Sequence, residues 1–200
     1  WSYDLLSAEE KLVLHRLSVF AGGWTLELAE EVCSFGAVER WQVLDLLSGL
    51  ADKSLVAFEQ RSSQTRYRLL ETVRQYARDR LLESGESKEV RDRHSGSFVA
   101  LAEEAEPNLR TARQADWISR LEEEHENLRT AMEWLLHEKN AQGCLRMCAA
   151  LLFWWQRGYL VEGRAWCVKS LALPAEPELA GLRSRTLCVA GYMAWMQGEY

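Results

Sequence analysis

From Ser87 onward the sequence carries helix signals throughout and no strand signal. Apolar residues recur at the three- and four-residue spacing that is typical of amphipathic helices. This spacing predicts five helices, near residues 88–105, 114–137, 142–157, 161–172 and 178–197. The predicted breaks between them fall at Pro107, Asn140, Gly158 and Pro174. Because single amphipathic helices cannot bury their apolar sides alone, this half is predicted to fold as an array of packed helices.

A weak internal repeat supports the array. Gly158-Tyr159 and Gly198-Glu199-Tyr200 each follow a Trp-rich amphipathic helix, and the two glycines lie 40 residues apart. A pair of helices with a linker fills that spacing, and each pair needs neighbours to cover its apolar face. We therefore expect residues 141–200 to begin a helical repeat array that continues past Tyr200, and residues 85–140 to form a connecting helical bundle.

The first 84 residues have a different pattern, in which three short helices precede a β-hairpin. Ser7 and Glu10 form a capping box for a helix from Ala8 to about Val19, and Thr25 caps a second helix through Cys33. A third helix is predicted from about Val38 to Ala51. The side chains predicted to face inward are Leu12, Val13, Leu17 and Phe20, then Leu26, Ala29 and Val32, then Val43, Leu44, Leu47 and Leu50.

Two strands follow, over residues 55–58 and 66–69, on either side of a polar loop. A helix over residues 71–83 comes next, and Gly85 lies where a C-terminal cap needs a positive φ. Three helices and a hairpin are the winged-helix pattern. The predicted fold is thus mainly α, with a winged-helix module over residues 1–84 followed by the helical array.

Composition limits the partners of such a chain. The formal net charge of −6 and the pI near 5.4 provide no basic surface for wrapping nucleic acid or binding an anionic membrane. The longest apolar run, residues 148–155, is far shorter than the roughly 20 residues of a membrane-spanning helix. Five scattered cysteines are typical of reduced, buried thiols, so we expect a cytoplasmic protein without a metal site.

The sequence offers no set of residues for catalysis. No Gly-x-x-x-x-Gly-Lys-Ser/Thr stretch is present to hold a nucleotide's phosphates, so this chain is not expected to hydrolyse nucleotide. The four histidines are scattered over three predicted helices, and none is spaced to pair with a nucleophile. We predict a non-enzymatic chain that needs no cofactor of its own.

DNA binding is the alternative function that a winged helix suggests. From Trp1 to Gln60 the sequence has ten acidic residues and four basic ones, which disfavours contact with phosphate. The third helix offers Arg40, Trp41, Gln42 and Asp45, a poor set for reading bases. If the module does bind DNA, the candidate contacts are the wing residues Arg61, Arg66 and Arg68, whose simpler interpretation is a solvated or salt-bridged face.

Tryptophans in the repeat region are candidates for partner contact, because aromatic anchors dominate the binding energy of many interfaces. The candidates are Trp154, Trp155, Tyr159 and Trp166. Trp154 and Trp155 point about 100° apart on a helix, so one can lie in the core and the other near a groove. Core packing is the simpler interpretation, because Trp buries a large apolar area wherever it lies.

Several stretches resemble one family. They are Trp1-Ser2-Tyr3-Asp4-Leu5-Leu6, Leu17-Ser18-Val19-Phe20-Ala21-Gly22-Gly23-Trp24, Leu50-Ala51-Asp52-Lys53-Ser54-Leu55-Val56, Tyr67-Arg68-Leu69-Leu70-Glu71-Thr72-Val73-Arg74-Gln75-Tyr76-Ala77 and Glu124-His125-Glu126-Asn127-Leu128-Arg129. In this order they look like the region that follows the nucleotide-binding domain in STAND-class (NB-ARC-type) signalling ATPases, particularly bacterial AfsR-like and LuxR-like transcriptional regulators.

This resemblance implies a regulatory role. In that family the winged helix folds back on the parent's own nucleotide-binding domain and helps to hold ADP in a closed state. A tetratricopeptide-like array then senses a protein partner or ligand, and opening permits ATP exchange and oligomerisation. By resemblance, this chain restrains the nucleotide-binding domain, while ATP or ADP binds elsewhere in the parent protein.

One position departs from the family pattern. Where relatives have a Met-His-Asp motif whose His contacts the nucleotide's β-phosphate, this sequence has Leu69-Leu70-Glu71. Leu70 cannot make that contact. Glu71 fits the acidic position of the motif and is the candidate nucleotide-sensing residue, although an acidic residue in the first turn is also favoured by the helix dipole alone.

Overall fold

The computed structural model describes residues 2–61, 64–174 and 176–198. The chain is mainly helical and divides into two compact units, Trp1–Ser97 and Phe98–Tyr200, which are called unit 1 and unit 2 below. The division falls within a long helix. The predicted finer division of the second part at residue 140 stays a prediction.

Unit 1 has the winged-helix arrangement that the sequence predicts. Its described elements are α1 (Ala8–Leu17), α2 (Leu26–Cys33), α3 (Val43–Asp52), β1 (Val56–Arg61), β2 (Gln64–Leu69), α4 (Glu71–Ser84) and the first part of α5 (Ser87–Asn108). The two strands are antiparallel, from Val56 opposite Leu69 to Arg61 opposite Gln64.

The predicted caps of unit 1 are confirmed. Ser7 and Glu10 form the capping box of α1, the Thr25 side chain accepts from the Leu28 N–H at the start of α2, and Gly85 ends α4 with a φ of 79°. The third helix starts later than predicted, because residues 40–42 form a 3-10 turn before α3.

Trp24 attaches the hairpin to the segment between α1 and α2. The backbone N–H of Trp24 donates to the Tyr67 carbonyl at 2.9 Å, and the backbone N–H of Tyr67 donates to the Trp24 carbonyl at 2.8 Å. Gly23 makes this approach possible, since a Cβ there would lie 2.7 Å from the Tyr67 carbonyl oxygen. Trp24 is buried and stacks on Phe20 with ring centroids 5.3 Å apart.

One inward-facing prediction in unit 1 is wrong, and one buried charged residue was not predicted. Leu44 is exposed instead of buried, because Val43, Leu47 and Leu50 form the inner face of α3. The core also contains Arg16, a charged residue that periodicity alone does not place inside. Its guanidinium is satisfied by Glu86 and by two backbone carbonyls, as burial of a charge requires.

Unit 2 is the predicted helical array. Its described helices are the second part of α5, α6 (Gln114–Glu123), α7 (His125–His137), α8 (Ala141–Ala150), α9 (Leu152–Trp155), α10 (Leu160–Leu171) and α11 (Ala180–Met196). The α8, α10 and α11 helices pack against one another, and α7 packs on α8. Arg146 on α8 pairs with Glu103 on α5 at 2.6 Å.

Two long helices predicted in this half are divided in the structure. The helix predicted over 114–137 breaks at Glu124, which is buried and accepts from the Asn127 amide at 2.7 Å. The helix predicted over 142–157 breaks at Leu151. Pro107, predicted as a break, lies instead in the last turn of α5.

None of the helices in the described part of the chain is both long and apolar enough to cross a membrane.

Candidate functional site

The outer face of α3 is the most distinctive exposed surface of unit 1. Burial of Val43, Leu47 and Leu50 turns Leu44, Asp45, Ser48 and Asp52 outward. The preceding 3-10 turn adds Trp41, whose exposed fraction is 73%, while that of Leu44 is 45%. We call Trp41, Leu44, Asp45, Ser48 and Asp52 the α3 face. It combines two large apolar side chains with two carboxylates.

The α3 face contains no basic side chain, and neither does α3 itself. The two polar residues just before the helix are already engaged. Arg40 donates to Glu30 at 2.9 Å, and Gln42 accepts from the Glu39 N–H at 2.8 Å. The third helix therefore presents few of the donors with which proteins read bases in the major groove.

Two other cations among residues 2–60, Arg16 and Lys53, also pair with carboxylates. Arg16 forms two hydrogen bonds with Glu86, and Lys53 lies 2.6 Å from Glu10. Because these cations are already paired, they do not neutralise the exposed carboxylates of this region. The excess of acidic residues in the sequence is therefore also an excess of negative charge at the surface.

The structure describes the side chains of two of the three predicted wing arginines, Arg66 and Arg68. Arg66 is half-buried, donates to the Gly23 carbonyl at 3.1 Å and lies opposite Glu59 in the hairpin. Arg68 is exposed and lies opposite Ala57. The side chain of Arg61 lies outside the described residues. Whether any of them contacts DNA stays a prediction.

Glu71, the candidate nucleotide-sensing residue, is exposed at the start of α4. Both of its oxygens accept from Arg74, at 2.8 and 2.9 Å. The hydrogen bond from Arg74 lowers the pKa of the Glu71 carboxyl, so this group stays charged. Leu69 is buried and Leu70 is exposed. Nucleotide sensing by Glu71 stays a prediction.

The four predicted partner-contact residues of unit 2 lie close together. Trp154 and Trp155 are both buried, as the core-packing interpretation predicts for them. Tyr159 and Trp166 are half-buried. Trp154 stacks on Tyr159 with centroids 4.7 Å apart. Trp155 covers Gly163 of α10, where a Cβ would lie 2.4 Å from the indole.

Polar residues that sequence reasoning did not select complete this aromatic group. Glu162 accepts from Arg129 at 2.6 Å and from the Trp166 indole at 3.2 Å, and it lies 3.2 Å from His125. The contacts of Glu162 with Arg129 and His125 tie α7 to α10. The sequence separation of 33 to 37 residues hides them from any local pattern.

Glu122 of α6 supplies the other link. Tyr159 donates its hydroxyl to Glu122 at 2.6 Å. This hydrogen bond, together with burial, raises the pKa of Tyr159 to about 12. The cavity beside Trp154 and Glu162 is about 10 Å³, which is room for about one water molecule. The aromatic group therefore joins helices more than it encloses a ligand.

The described residues contain no group of three or more His, Cys, Asp or Glu side chains that could hold a metal ion. Cys144 and Cys148, which share a helix face, are both buried. Burial raises the pKa of Cys144 to about 12, so its thiol stays protonated at neutral pH.

Comparison with known proteins identifies the N-terminal module. Residues 6–82 match the winged helix-turn-helix domain family. The chain is 37% identical over 170 residues to "Putative HTH-type transcriptional regulator Rv0890c" of Mycobacterium tuberculosis, in an alignment that covers 83% of this chain and 19% of that protein. A protein of the same description from Mycobacterium bovis gives the same figures.

A second relative covers less of the chain. "Uncharacterized protein Rv0894" of Mycobacterium tuberculosis is 44% identical over 95 residues, which is 47% of this chain and 24% of that protein. No solved structure matches the chain. These matches leave the STAND and tetratricopeptide parts of the resemblance as predictions. The chain spans about a fifth of the regulators that it matches, contains a winged helix-turn-helix domain and is homologous to proteins described as HTH-type transcriptional regulators.

Proposed function

We propose that this chain is a regulatory segment of a transcriptional regulator and that its winged helix contacts protein instead of reading DNA bases. The observation that carries the proposal is the α3 face, which exposes Trp41 and Leu44 beside Asp45 and Asp52 and contains no basic side chain. Carboxylates repel DNA phosphates. An apolar patch flanked by carboxylates suits a protein surface with apolar and basic side chains.

The resemblance to signalling ATPases suggests what that protein surface is. In this proposal the winged helix restrains the nucleotide-binding domain of the parent protein, where ATP or ADP binds, and the helical array senses a partner in the manner of tetratricopeptide repeats. Support comes from the exposed position of the α3 face and from the packed α8, α10 and α11 helices. Glu71 is the proposed residue nearest the nucleotide.

Direct DNA binding is the second candidate, and the comparisons favour it more directly than they favour protein contact. Both the domain family and the relatives that align with most of this chain are described by the helix-turn-helix motif. Binding of this kind would use the exposed Arg68 of the wing and Arg78 of α4, since α3 offers no cation. Such contacts position a protein on the phosphate backbone and carry little sequence information.

A salt-dependent gel shift with the purified chain separates the two candidates. We expect duplex DNA to bind no tighter than the non-specific range, a Kd of about 1 to 100 μM at physiological salt. Replacing Asp45 and Asp52 by Asn removes the two carboxylates of the α3 face, and we expect a change of less than about twofold because α3 does not enter the groove.

Submicromolar duplex binding that weakens with salt would overturn the proposal. In that case Arg68→Ala should weaken binding and the Asp45→Asn, Asp52→Asn double variant should strengthen it. Glu104→Gln, which changes an exposed carboxylate of unit 2, is the matched control for a general change in net charge.

A further inference from the structure

Unit 2 contains an open cleft with a volume of about 320 Å³. It lies between the end of α5 and the turn that follows, the junction of α8 with α9, and the first half of α11. Its volume is at the lower end of the range that small-molecule sites occupy. The size therefore suits a small ligand better than a peptide segment.

Small side chains leave this space open. The four that line it are Ala149 and Ala150 of α8 and Ser184 and Cys188 of α11. The larger apolar residues of the wall are Leu152, Phe153 and Val189. Because most of the wall is apolar, the apolar part of a ligand is more favourable inside the cleft than in water.

Two arginines and one carboxylate complete the lining. Arg185 pairs with Glu106 at 2.7 Å, so these two charges balance each other. The guanidinium of Arg110 lies 4.4 Å over the Phe153 ring and forms no ion pair with any residue that the structure describes. Arg110 is also exposed. The rim of the cleft therefore keeps one positive charge that the described protein does not balance.

The cleft lies on the side of α11 that faces away from α10. Cys188 lines the cleft, whereas Gln197 accepts from Arg164 of α10 at 2.9 Å. These two residues of α11 are nine positions apart, which places them on opposite sides of a helix. A helix that continues the predicted array would stack on α10 and α11 beside Gln197, where a separate groove is open. The array is therefore not expected to continue over the cleft.

We propose that this cleft binds a small molecule with an apolar body and a single carboxylate. The apolar body lies against Leu152, Phe153 and Val189, and the carboxylate accepts from the guanidinium of Arg110. A guanidinium offers parallel N–H donors that match the two oxygens of a carboxylate. Arg185 keeps Glu106 from repelling such a ligand, because the paired side chains have no net charge.

This inference rests on the proposed sensing role of the helical array, and it names the class of ligand that the array senses. The charge of the rim decides the class. A cationic ligand would meet the unbalanced Arg110, and a neutral one would leave this guanidinium without the anion that it can bind.

Titration of the whole chain with octanoate, followed by amide NMR spectra, tests the proposal. For a ligand of this size we expect a Kd of about 0.1 to 10 mM. The amide signals of Ala149, Ala150 and Val189 should shift. Octanamide has the same apolar body without the charge, so it should bind at least about fivefold more weakly. Octylamine should not bind in the cleft.

Three variants separate the roles of charge and space. Arg110→Gln should weaken octanoate binding at least about fivefold and leave octanamide binding unchanged. Arg157→Gln is the matched control, since Arg157 is also an exposed arginine of unit 2 but does not line the cleft. Ser184→Leu fills the cleft from an exposed position, so it should weaken the binding of octanoate and octanamide alike.

Cys188 provides a second readout at the rim. It is exposed while the other four cysteines are buried, so saturating octanoate should slow the alkylation of Cys188 by iodoacetamide. Equal binding of octanoate and octanamide would overturn the proposal, and so would equal binding by the Arg110→Gln and Arg157→Gln variants. Amide shifts confined to the groove between α10 and α11 would place the ligand elsewhere and contradict it as well.

The two proposals fail separately. Tight duplex binding in the gel shift would overturn the proposed function without changing the binding of octanoate. Absence of octanoate binding up to its solubility limit would overturn the inference about the cleft alone.

Discussion

Arg16 is the residue on which the packing of unit 1 depends most. Its side chain is fully buried, donates twice to Glu86, donates to the Cys33 and Phe35 carbonyls at 2.8 and 3.0 Å, and lies 3.6 Å over the Phe35 ring. These contacts join α1, the end of α2 and the turn before α5. A lysine could not reproduce them, since only a guanidinium offers this planar set of donors.

Replacement of Arg16 by Met should lower the free energy of unfolding by about 3 kcal/mol, because breaking a buried pair leaves its partners without donors. Urea unfolding followed by tryptophan fluorescence measures the loss. Arg40→Met is the control, since Arg40 is exposed and its pair with Glu30 contributes at most about 1 kcal/mol. Equal losses for the two variants would contradict this account.

His15 should make the stability of unit 1 depend on pH. Burial and the nearby Arg80 lower the pKa of His15 to about 4, from an ordinary value of 6.5. Between about pH 6.5 and 4 the unfolded chain therefore binds a proton that the folded chain does not. The free energy of unfolding should fall as the pH is lowered through this window, by about 1 to 2 kcal/mol after allowance for the partial exposure of the ring.

Unfolding at about pH 7 and at about pH 5 tests this dependence, since both values lie above the range in which most carboxylates titrate. His15→Gln should reduce the difference between the two conditions. His137→Gln is the control, because that ring is exposed. An unaltered difference in the His15 variant would show that another group is responsible.

At the scale of elements, the contact between α9 and α10 depends on a glycine. Gly163 faces the buried indole of Trp155, and a Cβ at this position would lie 2.4 to 2.8 Å from its ring atoms. Gly163→Ala should therefore lower the free energy of unfolding by about 1 to 3 kcal/mol, the usual cost of overpacking. Thermal unfolding measures the effect.

Gly96→Ala is the matched control for Gly163→Ala. Gly96 also lies inside a helix, but an added Cβ would meet nothing within 4 Å. This change should stabilise the chain by about 0.5 to 1 kcal/mol through helix propensity alone. If both alanine variants were stabilised, the Trp155 contact would not be tight.

The element-scale comparison shows which features local sequence encodes. Caps and turns were predictable, as Ser7, Thr25 and Gly85 show, because each depends on a side chain within a few residues. The break at Glu124 was not, because it depends on the burial of both Glu124 and Asn127 inside the array, and burial of polar side chains is not visible in the local sequence. Periodicity placed Leu44 inward, although α3 needs only Val43, Leu47 and Leu50 for its inner face.

The candidate site was less predictable than the fold. Trp154, Trp155, Tyr159 and Trp166 were selected as aromatic residues, and they do lie close together. Their polar partners Glu122 and His125 lie on helices distant in sequence, and Glu162 of α10 pairs with the equally distant Arg129, so no local pattern connects these residues. The α3 face was visible in part, through Trp41 and Asp45, but its apolar character depends on the exposure of Leu44.

For the whole molecule, acidity is the property that most limits function. The net charge is −6. In the first 60 residues, Arg16, Arg40 and Lys53 each pair with a carboxylate. A winged helix of this composition has little electrostatic attraction for a polyanion. In the proposed function, the same surface contacts basic side chains of a protein partner.

The pairing of Trp24 with Tyr67 also affects how the hairpin behaves toward other chains. An outer strand with unsatisfied amide groups can recruit a foreign strand and begin aggregation. Because Tyr67 directs its outward N–H and carbonyl to Trp24, β2 has no continuous free edge at this point. A single residue of the neighbouring loop thus blocks the addition of another strand at this position of β2.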